Sequence, residues 1–294
     1  MPFAEKEKRI VALSSVLAAI LLVGTKLVVG VTTNSLGILA EAAHSGLDLV
    51  AALMTLWAVR VSDKPPDSQH QYGHGKIENI SALFETILLF VTCVWIIYEA
   101  VSRLLFEPVS VQVTVWSFLV VLLSIVVDVS RSRALSRAAK KYRSQALEAD
   151  ALHFSTDIWS SAVVLLGLIF VKLHVFLPKY EFLHEADAVA ALLVAAIVVY
   201  VSFRMGFKTV QALIDTAPSG LEKKIVVLVE AISGVKNCHQ VRMRYSGARL
   251  FIDAHVAMNG SLTLDEAHQL MDEIEAVISK EVPESDVTVH PEPL

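Results

Sequence analysis

Six mainly apolar stretches run through the first two-thirds of the chain, at roughly residues 10–32, 36–61, 79–105, 111–130, 152–177 and 186–207. Each is long enough to cross a bilayer as a helix, which takes about 20 residues. From about residue 215 the pattern changes. Ile225–Ile232, Gln240–Arg244, Leu250–Met258 and Leu264–Ile278 are short and interspersed with charge, as in a small soluble domain. Their order predicts a helix at 219–233, strands at 238–245 and 250–258, a helix at 263–282 and a strand at 286–290. Ser219 and Thr263 are the expected N-caps, and Glu266 completes a capping box with Thr263. Ser246-Gly247 marks the hairpin turn. The fold class expected is a mainly α membrane protein: a six-transmembrane-helix bundle over residues 1–212, then a small α+β domain (αββαβ) over 213–294.

Composition agrees. Hydrophobic residues make up 54% and charged residues 19%, and the mean hydropathy is +0.57. Soluble domains carry about a quarter charged residues, so a lipid bilayer is the expected surrounding. The formal net charge of -5 comes with no broad basic surface, so no nucleic-acid partner is expected. Cys93 and Cys238 lie far apart without CxxC spacing, which predicts free thiols in a reducing compartment. No A-x-A-like cleavage site precedes Lys26, so the first helix reads as uncleaved.

Charge placement predicts orientation. Lys6, Lys8 and Arg9 precede helix 1, and Arg60, Lys64 and Lys76 flank the helix 2–3 loop. Arg131, Arg133, Arg137, Lys140, Lys141 and Arg143 fill the helix 4–5 loop, and Arg204 and Lys208 follow helix 6. With six spans these places share one side. The opposite loops, near Thr32–Ser35, Glu107–Ser110 and Leu177–Glu185, carry only Lys179. Both termini are therefore expected in the cytoplasm. Lys26, Arg103 and Lys172, in the outer helix halves, are expected to snorkel.

Two helices carry groups that lipid does not tolerate. Helix 2 holds Glu41, His44 and Asp48; helix 5 holds Asp150, His153 and Asp157. A carboxylate at mid-bilayer costs about 2.5–3.5 kcal/mol on insertion scales, so such groups face the bundle interior and have functional partners. Residues four apart share a helix face. His44 with Asp48, and His153 with Asp157, thus offer two imidazoles and two carboxylates to one tetrahedral Zn²⁺ site. Two carboxylates would also neutralise the dication. The competing reading makes each pair an interhelical hydrogen bond fixing the packing. Glu41 and Asp150 read equally as groups orienting the histidines or as interfacial charges. Asp128 reads as the partner of Arg131.

These motifs resemble the cation diffusion facilitator family over nearly the whole chain. The resemblance rests on Ser35–Asp48 of helix 2, Glu148–Asp157 of helix 5, and the Asp67–Lys76 loop with its Gly-His-Gly-Lys segment. It implies a homodimer, proton-coupled export of divalent metal ions, a metallochaperone-like cytoplasmic metal-binding and dimerisation domain, and a bacterial inner (cell) membrane location. HxxxD on both helices is similar to the zinc-preferring members, with protons as counter-substrate. Asp67, His70 and His74 form D-x-x-H-x-x-x-H in a Pro/Gly-flanked loop, a ligand set for a second Zn²⁺. By resemblance, His239, His255, His268, His290 and Glu292 form a structural or regulatory zinc site in the cytoplasmic domain. Members often have Asp where this chain has Glu292, and Cys238 is an alternative soft ligand. A Lys76–Asp215 interlock is also implied. The alternative function is a membrane-anchored metal sensor, with ligands mainly in the tail. A metalloprotease is excluded by the lack of H-E-x-x-H, and a fast channel by the tightness of a four-ligand site.

Overall fold

The computed structural model describes residues 2–105, 115–176 and 183–294. The expected loops near Glu107–Ser110 and Leu177–Glu185, with Lys179, fall largely outside the described residues, as do the side chains of Arg103 and Lys172. Among the described residues there are six long helices: α1 (Pro2–Thr33), α2 (Leu36–Ser62), α3 (Lys76–Leu105), α4 (Val115–Tyr142), α5 (Gln145–Phe176) and α6 (Leu183–Leu213). Among the described residues, Phe3–Thr33, Ile38–Ser62, Lys76–Trp95 and Leu192–Leu213 are long and apolar enough to cross a membrane.

One expectation is corrected here. The basic segment from Arg131 to Lys141 is not a loop but the second half of α4. Its Ser-Arg-Ala-Leu-Ser-Arg-Ala-Ala-Lys-Lys run is rich in good helix formers. The chain turns only at Arg143, which has φ +50°.

The chain forms two compact units. The first comprises residues 1–63 and 77–209, and the second 64–76 and 210–294. In the first unit, Val16 of α1, Leu56 and Val59 of α2, Leu135 of α4 and Leu147 and Phe154 of α5 share one buried cluster. Lys8 of α1 is held by Asp63 (2.5 Å) and Glu78 of α3 (3.3 Å), an almost fully buried ion cluster at one end of three helices. Such a cluster is tolerable because each charge has a partner.

The second unit contains α7 (Leu221–Glu230), β1 (Val235–Ser246), β2 (Arg249–Met258), α8 (Leu264–Glu281) and β3 (Ser285–Pro293). The sheet order is β1-β2-β3, with β1 and β2 antiparallel and β2 and β3 parallel. The αββαβ expectation holds in order and type. Thr263 caps α8 with the full capping box to Glu266. Ser219 is not the cap of α7. Gly220 holds that position, left-handed at φ +78° and without a side-chain bond. The hairpin turn is shifted by one residue, because Ser246 still pairs with Arg249. Strand alternation sends Cys238, Leu250, Ile252, Ala254, Val256 and Val289 into a core closed by Ile225, Val229, Ile274 and Ile278 of the two helices. Residues of opposite parity, including His239, His255 and His290, are left on the other face.

Candidate metal centre

In the first unit, α2 and α5 bring Asp48, His153 and Asp157 together, with one ligand atom of each within 4.8 Å of the others. His153 Nε2 lies 3.2 Å from Asp48 Oδ1 and 3.6 Å from Asp157 Oδ2. Asp48 and His153 are buried, at 8% and 4% exposure. Among the described residues, His153 Nδ1 and Asp157 Oδ2 find no hydrogen-bond partner. Buried donors and acceptors are normally satisfied, so these atoms fit a ligand set for a cation better than a finished hydrogen-bond pair. His44 is not in the three-residue cluster. It lines the same cavity of about 50 Å³ together with Asp48, Asp157, Lys26, Glu41 and Ser161. One turn of α2 separates His44 from Asp48, so the two residues share a helix face.

A polar layer borders this cluster. Asp150 is fully buried and accepts from Ser15 Oγ at 3.4 Å. Arg131 donates to Ser15 Oγ from Nη2 (3.1 Å) and to Asp128 Oδ1 from Nη1 (3.3 Å), and its guanidinium lies over the Phe154 ring. Asp128 therefore pairs with Arg131, as its spacing implies. Asp150 does not hydrogen-bond to His153. Glu85 of α3, fully buried and bonded to Thr55, is a polar member that the sequence reading missed. It is the one acidic letter in the apolar run between Glu78 and Glu99, and that was the available signal. Lys26 does not snorkel. It is 4% exposed, with its ammonium 3.2 Å from Glu41 and donating to Ser45 Oγ at 2.8 Å. Glu41 thus orients Lys26 rather than a histidine.

In the second unit, Asp67, His70 and His74 form another group with ligand atoms within 4.8 Å. Asp67 Oδ1 accepts the backbone N–H groups of Gln69 (2.9 Å) and His70 (2.6 Å), an Asx-turn that shapes the loop. These bonds, that of His70 foremost, hold the Asp67 carboxyl below its usual pKa. His74 Nε2 lies 3.3 Å from Asp67 Oδ2.

A third group joins His255, His290 and Glu292. Register explains it: His255 stands beside His239 on β1 and His290 on β3. His255 Nδ1 is 2.8 Å from Glu292 Oε1, and His239 Nε2 is 3.3 Å from Glu292 Oε2. The bond to His255 holds the Glu292 carboxyl below its usual range. Glu in place of Asp thus reaches both imidazoles. His268 is not among them. It lies on α8, exposed, 3.9 Å from Asp272. Cys238 is excluded as a substitute ligand, since alternation buries it in the core and burial pushes its thiol up to about 11. Lys76 and Asp215 form the implied ion pair at 2.8 Å.

Two family profiles match the chain: "Cation efflux transmembrane domain" over residues 12–214 and "Cation efflux protein, cytoplasmic domain" over 217–294. The Cation-efflux pump FieF of Yersinia enterocolitica is 34% identical over 284 residues, covering 95% of this chain and 90% of its own length. FieF of Cronobacter sakazakii is 31% identical, covering 96% and 91%. A solved structure of CzrB is 26% identical and covers 26% of this chain and 98% of its own, with a TM-score of 0.26.

Proposed function

Since the chain belongs to the cation efflux family, and is an integral membrane transporter of metal cations rather than an enzyme, we propose that it exports Zn²⁺ from the cytoplasm in exchange for protons. The convergence of Asp48, His153 and Asp157 carries this reading. With His44 from the same cavity, the donors become two imidazoles and two carboxylates. That set is suited to tetrahedral Zn²⁺, and its imidazoles favour zinc over harder cations. The two carboxylates neutralise the ion, which lowers the cost of holding it away from water.

Exchange follows from ligand chemistry. A ligand binds metal only when deprotonated, so protons and Zn²⁺ compete for the same atoms. Histidine's reference pKa of about 6.5 puts this competition near neutral pH. The deprotonated site loads zinc facing the cytoplasm, the bundle rocks, and protons from the far side displace the ion and return with the site. Both termini and the second unit face the cytoplasm in a bacterial inner membrane. Two copies act together, as the dimerising type of cytoplasmic domain implies. The Asp67/His70/His74 and His239/His255/His290/Glu292 groups bind further zinc in the cytoplasm. His268 joins the latter only if a second copy brings it there.

The test is zinc uptake into inside-out vesicles under an imposed pH gradient. His153→Ala and Asp157→Ala are expected to abolish gradient-driven uptake while the protein remains folded and inserted. Unchanged uptake in either variant removes the site assignment. Uptake that ignores the gradient removes the proton coupling.

A further inference from the structure

Resting on that reading of the transport site, we propose that Lys26 is its built-in counter-cation: an ammonium fixed in the same cavity, which opposes the site carboxylates when no metal is bound and competes with the metal for them.

The observations are geometric. Lys26 lies on α1, seven residues before the helix ends at Thr33. A lysine this near a helix end ordinarily runs its stem along apolar surface and puts its head in water. Lys26 instead is almost wholly buried, and it lines one cavity with His44, Asp48 and Asp157. It is held by Glu41 at 3.2 Å and Ser45 at 2.8 Å. Ser45 follows His44 directly, and Glu41 is one turn of α2 away from His44. The pair is asymmetric: the Lys26 side chain is 5% exposed and that of Glu41 is 44%. A pair serving only packing could sit at the exposed glutamate. Here the lysine comes inwards, to the side holding the carboxylates.

Charge counting supplies the role. With Asp128 of the same cavity paired to Arg131, Asp48 and Asp157 contribute two negative charges, which a dication cancels. Without metal, two carboxylates would face one another in a poorly solvated cavity, where charge interactions are several times stronger than in water. An ammonium in that cavity opposes them, and so lowers the cost of the empty site. The same charge repels Zn²⁺ and weakens its hold, which aids release. Glu41 tempers the effect by holding the ammonium at one edge of the cavity.

Opposed changes in apparent affinity separate this role from packing. Zn²⁺ transport into proteoliposomes by the full chain would be measured as KM and kcat for Lys26→Met, Lys26→Arg, Glu41→Gln and Asp157→Ala. Removing one positive charge near the site is expected to lower KM by about tenfold in Lys26→Met and to slow kcat through slower release. Glu41→Gln, which leaves the ammonium unopposed, is expected to raise KM. Lys26→Arg keeps the charge and should keep KM close to native. If Lys26 and Glu41 only support packing, both neutral variants break the same pair and shift KM in the same direction; that result, or an unshifted KM in Glu41→Gln, overturns the proposal. Should Lys26→Met fail to insert, the rise in Glu41→Gln and the native KM of Lys26→Arg still decide the matter. Asp157→Ala separates the two readings. Retained transport there sinks the transport site itself, whereas lost transport without opposed shifts sinks only the role of Lys26.

Discussion

At the scale of single residues, environment rather than residue type decides what each ionisable group does. Cys238 and His239 are adjacent, yet strand alternation buries the thiol in an apolar core and sets the imidazole beside a carboxylate. Glu292 shows the consequence for pH. Its carboxyl is held below the usual 4.5, mainly by the bond from His255. A depressed carboxyl contributes stability that is full above its unfolded value and is lost as pH falls through the lower folded value. Glu292→Gln is therefore expected to loosen β3 at neutral pH, where the native contribution is full, and to flatten the further loosening that acid causes below about pH 4.5. Hydrogen exchange at the β3 amides, measured without metal, reads this. An acid profile identical to the native one would show that the contact adds nothing.

At the scale of elements, the 64–76 loop behaves as part of the soluble domain. The Tyr72 ring meets Phe251 edge-on at 5.2 Å and lies under the Arg244 guanidinium at 3.8 Å. Gly75 packs so closely on the β1–β2 turn that a Cβ there would collide with the Ser246 carbonyl and the Gly247 nitrogen. Gly247 itself is left-handed, at φ +63°. Tyr72 stands between His70 and His74, so its seat on the hairpin positions both imidazoles. Gly75→Ala is expected to lift the loop. Hydrogen exchange would rise across residues 67–75, and zinc affinity at Asp67/His70/His74 would fall several-fold, while α8 stays protected. Unaltered exchange in the loop would show that the close approach is not needed to hold it.

At the scale of the whole molecule, the helical unit is organised around buried polar clusters as much as around apolar packing. Lys8 joins α1 to Asp63 and Glu78 at one end of the bundle, and Arg131 joins α4 to Ser15 on α1. Removing one partner of a buried ion cluster strands the others, at a cost of about 3–5 kcal/mol. Lys8→Met should lower the thermal midpoint of the purified protein markedly. Breaking the exposed Lys208–Glu148 pair, 2.7 Å long, should shift it little, since exposed pairs contribute about 0–1 kcal/mol. Equal shifts in the two variants would contradict this ranking.

Much of this was determined by the sequence alone. Apolar runs of bilayer length dictate long helices, since lipid leaves no other way to satisfy the backbone. Period-two alternation and the Thr263 capping box dictate the αββαβ order. The i,i+4 spacing puts His153 and Asp157 on one face of α5, and the local Asx-turn gathers Asp67 and His70. Tertiary structure decided what spacing within one element cannot encode. Packing of α2 on α5 selected Asp48, His153 and Asp157 as the close trio and left His44 in the adjoining cavity lining. Strand register joined His255 to His290 and Glu292, and left His268 apart. Burial took Lys26 out of the interface, where its long stem alone would have put it, and set it in the cavity lined by His44, Asp48 and Asp157. A charge's role depends on which other charges share its low-dielectric surroundings, and that is settled only when distant helices meet.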